Sequence, residues 1–454
     1  MRVDPARAAA AELLRQVEQD DVYANLALPG ILASHGLSGR DAAFATELAY
    51  GTLRWQGLYD AVLDRCLTGD PDRVEPVVRQ ILRLGCHQLL GMRVPVHAAV
   101  SSTVDLAKGT GERAAARAGF VNGVLRAVSR RDLHGWVEEI MREGAGRSRA
   151  EQLAMRWSHP AWIVRAFMDA LGEQRGQIAD LLAADNAPAR PALVARPGRI
   201  TVEDLLGEPG VEPGRWSPLA GILAQGSPDA LAGVRSGAVG VQDEGSQLIT
   251  LALAHAPVTS GEGAWLDVCA GPGGKSALLA GLASAVDASL FAVEPHAHRA
   301  ALVRAALRES SDVTVLQADA RTMPWGAQRF DRVLVDAPCT GIGALRRRPE
   351  ARWRRTPQDL VTLGPLQRQL LTAGMAATAP GGVVGYVTCS PHLAETAAVV
   401  DDVVGREPGW TVIDAPALLP QVPDCGTGPF VQLWPHRHGT DAMFLALLHR
   451  NGIM

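Results

Sequence analysis

Two rhythms of apolar positions divide the chain. From residue 4 to about 140, apolar residues recur at helical spacing in "PARAAAAELLRQV", "GRDAAFATELAYGTLRWQGLYDAVLDRCL", "EPVVRQILRLGCHQLL", "HAAVSSTVDLA" and "AGFVNGVLRAVSR". A stripe at that period buries one face of each helix, and short Gly-, Pro- or Asp-bearing joints separate them. A compact all-α domain over 1–140 is predicted, opened by a helix with Asp4 as N-cap and Pro5 at its first position. Over 141–240 the pattern loosens. "REGAGRSRA" reads as a linker, "SHPAWIVRAFMDAL" as a helix and "ALVARPGRITVEDLL" as strand, turn and helix. A linker with a small α+β subdomain is expected there. "GAVGVQDEGSQLITLALA" then turns into a helix, and from about 261 strands and helices alternate. The predicted strands are "AWLDVC", "SLFAVE", "VTVLQ", "DRVLVDA", "GVVGYVTC", "FVQLW" and "AMFLALL". Such alternation predicts a mainly parallel sheet with helices on both faces, an α/β domain over 241–454. Ligands of such sheets bind at the carboxyl ends of the strands.

Composition changes this picture little. The 454 residues suit two or three domains, and 47% hydrophobic with 20% charged residues is a globular balance. A net charge of −4 announces no nucleic-acid binder, so local clusters must carry that case. The six cysteines form no C-x-x-C pair and no zinc spacing, so no metal is expected and a reduced cytoplasm is the natural setting. "GMAATAPGGVVGYVTCSPHLA" comes nearest to a membrane span, and its Gly and Pro break it.

The chemistry collects at predicted strand ends. "LDVCAGPGGKS" follows the first strand of the α/β domain and opens a helix, with Cys269, Ala270, Gly271, Pro272, Gly273, Gly274 and Lys275 in the turn. Glycines there let backbone approach a ligand closely. Glu294, 23 residues beyond Gly271, ends the second strand and suits a ribose diol; Asp319 ends the third and suits an adenine edge. A lone glycine turn is often only a turn. Three strand ends in succession point instead to an adenosine-bearing cofactor, and S-adenosylmethionine is favoured over NAD because the downstream residues do not suit hydride transfer.

Those downstream residues are two cysteines. "DAPCTG" places Asp336 and Cys339 at the fourth strand end, and "YVTCS" places Cys389 at a later one. A single cysteine is most often buried and inert. A pair at the cofactor edge suits methylation of a pyrimidine at C5. A thiolate adding to C6 makes C5 nucleophilic, a carboxyl group at N3 stabilises the developing charge, and a second thiol assists release. The base must leave its stack to reach such a pocket. Chemistry alone leaves open which cysteine attacks, and Pro338-Cys339 is similar to the Pro-Cys nucleophile of DNA cytosine-5 methyltransferases.

"LDVCAGPGGKS", "DAPCTGIGALRRRPEARWRR" and "YVTCSPHLAE" resemble the motifs of the Nol1/Nop2/Sun RNA cytosine-5 methyltransferases. "ANLALPGILASHGLSGRDAAFATELAYGTLRW" and "ILRLGCHQLLGMRVPVHAAVSSTVDLA…GFVNGVLRAVSR" resemble a NusB-like RNA-binding domain. The two together are similar to the bacterial RsmB/Sun type, which methylates a cytosine of 16S ribosomal RNA. The resemblance implies a Rossmann-like class I methyltransferase domain. It also implies S-adenosylmethionine along Cys269–Lys275, Glu294, Asp319 and Asp336, Cys389 as nucleophile and Cys339 as the release residue. Gly271 stands where the family has alanine, Glu294 where it has aspartate, and Ala394-Glu395-Thr396 where it often has Glu-Glu-Asn.

The run "LRRRPEARWRR" sets Arg346, Arg347, Arg348, Arg352, Arg354 and Arg355 around Trp353. Arginine forks suit phosphates and Trp stacks on bases, so this run is the expected RNA contact, against the plainer reading of a solvated surface. Small-subunit rRNA is the expected partner and a monomer the expected state. The rivals are the same chemistry on tRNA and a non-catalytic RNA-binding or antitermination scaffold.

Overall fold

A computed structural model describes residues 3–20, 22–109, 114–326 and 328–452. It falls into two compact units. One comprises 1–168, 173–187 and 345–354; the other comprises 169–172, 188–344 and 355–454.

The first unit is helical. Its opening helix, Pro5–Gln19, has Pro5 in its first turn and is capped by Asp4, whose carboxylate accepts from Arg7 N–H. Helices Gly39–Arg54, Gln56–Cys66, Pro76–Cys86 and Ala114–Val128 share one core with it, built around Leu13, Leu48, Tyr59, Leu82 and Leu125. Helices continue beyond residue 140 in the same unit, through Arg149–Arg156 to Ile178–Asn186. The segment 345–354 returns to this unit and is held by its backbone. Arg352 is wholly buried and donates to the carbonyls of Arg54 and Ser158 at 2.9 Å and to Asn186 Oδ1 at 2.8 Å. Trp353 donates its indole N–H to Leu53 O at 3.2 Å. A Cβ on Gly57 would lie 2.2 Å from that ring, so only glycine lets the tryptophan seat there.

The second unit holds two sheets. In the smaller, β1 (Ala192–Ala195), β2 (Val211–Pro213), β3 (Ala220–Leu223) and β4 (Val239–Val241) are ordered β2-β3-β1-β4, all antiparallel. The larger contains β5 (Ala264–Asp267), β6 (Ser289–Val293), β7 (Val313–Leu316), β8 (Phe330–Asp336), β9 (Thr378–Thr388), β10 (Trp410–Ile413), β11 (Gly426–Thr427), β12 (Phe430–Gln432) and β13 (Phe444–Arg450). Its order is β11-β12-β13-β9-β8-β5-β6-β7, with β10 also pairing β13. Strands β5 to β9 run parallel and β13 antiparallel to β9. Successive side chains alternate between two cores, as pleating requires. Trp265, Leu334 and Val383 face the helices Glu244–His255 and Gly274–Ser284, while Leu266, Val333 and Val384 face Pro357–Ala377. This is the Rossmann-like architecture expected, with antiparallel strands added at one side. Strand order reverses about β5, which puts the switch point at the carboxyl ends of β5 and β8.

Candidate active site

The parallel register delivers the predicted residues to one edge. Asp336 pairs with Val387 across β8 and β9, so the chain leaves both strands side by side. Cys339 follows the first and Cys389 the second, and their sulfurs lie 3.5 Å apart. β5 on the other flank of β8 leads into the loop that begins at Val268. From the first turn of the helix that follows, Gly274–Ser284, Lys275 reaches over to Asp336, Nζ to Oδ2 at 2.7 Å.

Charge around the sulfurs is uneven. Hydrogen bonding to Cys389 is the chief influence holding the Cys339 thiol well above its ordinary pKa; burial adds to it, as do the negative charges of Cys389, Glu395 and Asp336. Two sulfurs this close share one proton rather than ionise together. Burial would lower the Lys275 ammonium, but Asp336 outweighs it and Cys389 adds to the same direction, so lysine stays charged. Lys275 acts on Cys389, and Glu395 and Asp336 act on Cys339.

The turn Cys269–Lys275 fits an adenosyl cofactor in its backbone. The helix Gly274–Ser284 starts from Gly273 with no side-chain cap, leaving its first amides for an anionic group of a ligand. Gly271 N–H donates to Glu294 Oε2 at 3.2 Å, and Gly271 O accepts from Arg299 at 2.6 Å. A Cβ on Gly271 would fall 2.2 Å from Glu294 Oε2, so glycine is what lets loop and carboxylate meet. Glu294 also accepts from His296 N–H at 3.0 Å, which leaves one of its roughly four lone-pair sites for a ribose hydroxyl once the Arg299 contact at 3.4 Å is counted. Asp319 stands at the end of β7 but turns its carboxylate to Arg321, which would have to yield before that group met an adenine edge.

Beneath the loop lies Asp267, wholly buried, accepting from Cys269 N–H at 3.2 Å and Ser276 Oγ–H at 2.7 Å. Burial raises its pKa to about 7; the Ser276 bond works against this and the charge of Asp336 with it. The motif "LDVC" carried that residue, but nothing in a sequence says that its carboxyl is dry.

The arginines do not converge. Arg352 and Arg354 are packing residues of the helical unit, contrary to the reading of the run as an RNA surface. A guanidinium buried this completely, with both terminal nitrogens on protein oxygens, stands out of reach of a phosphate. Arg354 donates to Val22 O at 2.6 Å and to Val17 O, and its guanidinium lies over the Tyr23 ring, as does that of Arg348. Arg355 pairs with Asp359 at 3.3 Å. Arg346, Arg347, Arg348 and Arg355 are half-buried. His438, in "WPHRHGTD", accepts from Trp434 N–H at 2.8 Å and lies 3.0 Å from Pro423 O. Among the described residues no group of three His, Cys, Asp or Glu could hold a metal ion, and no helix is long and apolar enough to cross a membrane.

Sequence reading missed the polar shell under the cysteines: Thr340, Gln367 and Glu395, each nearly or wholly buried. Thr340 and Glu395 stood in quoted motifs, but neither was given a role there.

Residues 253–449 match the family model for 16S rRNA methyltransferase RsmB/F, and residues 4–130 match the NusB family. A Mycobacterium tuberculosis protein named as a methyltransferase, Rv1407, is 52% identical over 99% of this chain and 97% of its own. The ribosomal RNA small subunit methyltransferase B of Erwinia tasmaniensis is 31% identical over 97% of each chain. The crystal structure of PH0851 superposes with a TM-score of 0.80 at 21% identity, over 99% of this chain and 100% of that one, and so shares the fold. With both domains matched and relatives aligned end to end, the chain belongs to the RsmB/F family of rRNA methyltransferases, a Nol1/Nop2/Sun-type catalytic domain behind a NusB-family helical one.

Proposed function

We propose that this enzyme methylates C5 of a cytosine in small-subunit ribosomal RNA in the cytoplasm, through a covalent adduct between Cys389 and C6. The observation that carries the reading is the pair of sulfurs 3.5 Å apart at adjacent strand ends, with the Lys275–Asp336 pair beside them. Cys269–Lys275, Glu294, Asp319 and Asp336 would hold S-adenosylmethionine. When bound, it supplies a methyl group on a sulfonium, the electrophile that an activated C5 can attack.

Cys389 acts as the thiolate, since Lys275 favours its charge while Glu395 and Asp336 disfavour charge on Cys339. Its sulfur bonds to C6 and the C5–C6 π electrons become available at C5. Asp336 gives a proton to N3 as negative charge develops there, and Lys275 holds its carboxyl group in place through the 2.7 Å bond. After methyl transfer the C5 proton passes to solvent water, its electron pair re-forms the C5–C6 double bond, N3 returns its proton to Asp336, and the C6–S bond breaks to return the thiolate. Cys339, protonated and in contact with that sulfur, assists this departure. Arg346, Arg347, Arg348 and Arg355 are the arginines of the run assigned to RNA.

The Bacterial relative from Erwinia named for the ribosomal small subunit supports rRNA as substrate over tRNA. Bisulfite sequencing of rRNA from a deletion strain tests this: one cytosine of the small-subunit RNA should lose its protection. Unchanged protection throughout that RNA, with cofactor still bound by the purified protein, would instead favour another RNA or a binding scaffold. A Cys339→Ala variant should accumulate a protein–RNA adduct that survives a denaturing gel.

A further inference from the structure

We infer that Glu395 is a positioning residue for the release half of the reaction, clamping the turn that carries Cys339 to the strand that delivers Cys389. The inference rests on the two-cysteine reading above. Glu395 is 1% exposed. Its Oε1 accepts from Thr340 N–H at 2.8 Å and from Gln367 Nε2–H at 3.1 Å, and its Oε2 accepts from the Thr340 hydroxyl. The same Gln367 amide donates to Pro338 O at 2.9 Å. The residues on both sides of Cys339 are therefore tied to one carboxylate, directly or through one glutamine. The clamp is closed from the other side by Tyr386 of β9, whose hydroxyl donates to Glu395 O at 2.9 Å.

Burying a polar group costs free energy unless it is hydrogen-bonded, so a role in filling space does not account for a carboxyl group here, and each bond it makes goes to the turn or to the glutamine that holds the turn. The loop needs it. Cys389 follows directly on β9, which is paired on both sides up to Val387 and Thr388. Cys339 lies outside any strand. Loss of the clamp therefore frees Cys339 more than Cys389 and falls on departure more than on attack.

The test uses the full chain and an unmethylated small-subunit rRNA transcript. Glu395→Ala should lower steady-state turnover on the order of 100-fold, the cost of a misplacement of about 1 Å, while first-turnover methylation falls by less than about tenfold. The fraction of enzyme trapped as adduct on a denaturing gel should rise above wild type, with cofactor affinity little changed. Glu395→Gln keeps the volume and one acceptor and should recover most of the turnover. Thr340→Val, which removes one bond, should raise the adduct fraction by a smaller amount. These two variants decide the matter if Glu395→Ala does not fold. Turnover within about twofold of wild type without extra adduct overturns the inference, since a lost buried bond must be felt. So does loss of first-turnover methylation in step with steady-state turnover, which would place Glu395 in attack or in the fold at large. Cys339→Ala in the same assay separates the two claims. If it traps no adduct, the two-cysteine reading fails. If it does and the Glu395 variants do not, only the clamp fails.

Discussion

Two stretches of this chain are dense in chemistry, and the fold treats them in opposite ways. At the sheet edge, Lys275, Asp336, Cys339 and Cys389 come from three separate strand ends and converge within hydrogen-bonding reach of a neighbour. In the segment 346–355, four of the six arginines, Arg348, Arg352, Arg354 and Arg355, diverge to carbonyls, an aromatic ring and a carboxylate. Parallel strands share an edge, so a residue at a strand end has a known destination. A charge run in a loop has no such register, and guanidinium donors meet backbone carbonyls as readily as phosphates. Each region also has a buried ionisable group with a displaced pKa. Asp267 sits under the catalytic edge with its pKa raised to about 7, and Arg352 sits in the helical unit, where burial lowers its own to about 10.

The contrast breaks most visibly at Cys389. Cys389→Ala should reduce methyl transfer by at least about ten-thousandfold, as loss of a nucleophile does, without lowering cofactor affinity. Radiolabel transfer to rRNA measures it, and retained turnover would remove the sheet edge from the chemistry. Next comes the buried aspartate. Folded protein keeps the Asp267 proton up to about pH 7, whereas the unfolded chain releases it near the ordinary aspartate value of 3.8. Between those values the folded state binds more protons, so this group makes stability fall as pH rises from about 4 to about 7, by about 4 kcal/mol at most, and flat above. Asp267→Asn keeps an acceptor for Cys269 N–H and should remove that slope. Urea unfolding of both proteins across the interval reads the difference; parallel curves would mean that the carboxyl is not dry.

How much of this was legible follows from where each signal lies. β5, β6, β8 and β9 are apolar, β-prone runs that end in Asp, Glu or Cys, and both the sheet and its edge could be read from them. β10 and β11 escaped, the first because its residues are half-buried or exposed and the second because it is two residues long. The helix Pro357–Ala377 starts from a capping box formed by Thr356 and Asp359 and carries Pro365 inside, where a proline argues against a helix in sequence. Glu395, Gln367 and Thr340 were illegible for a different reason. Polar residues of a short turn, a helix and a loop read as surface until the fold puts them under the cysteines. Arg352 was misread by the same rule run in reverse.

Arg352→Met tests that residue in its own region. It leaves the carbonyls of Arg54 and Ser158 and the Asn186 amide oxygen without their donor. Unsatisfied buried groups cost about 1–3 kcal/mol each, less what water recovers, so a loss of about 3 kcal/mol is expected. Chemical denaturation followed by helical circular dichroism checks it. A loss below about 0.5 kcal/mol, the scale of a surface change, would return the residue to the surface.

The smallest effect separates the arginines from one another. Each phosphate that a cation neutralises on single-stranded RNA contributes about 0.7 to the slope of log affinity against log salt. Arg355→Gln should reduce that slope by about 0.7 and weaken binding a few-fold, with no loss of fold beyond the surface pair to Asp359. Arg352→Met should leave the slope of the folded protein unchanged, because a guanidinium enclosed by carbonyls releases no counterion on binding. Measured side by side in filter-binding titrations from low to physiological salt, the two variants give opposite patterns: stability without slope for Arg352, slope without stability for Arg355. If both change the slope, the RNA-bound protein frees the buried arginine and the segment is one surface after all. If neither does, RNA is held elsewhere, and the run serves the helical unit alone.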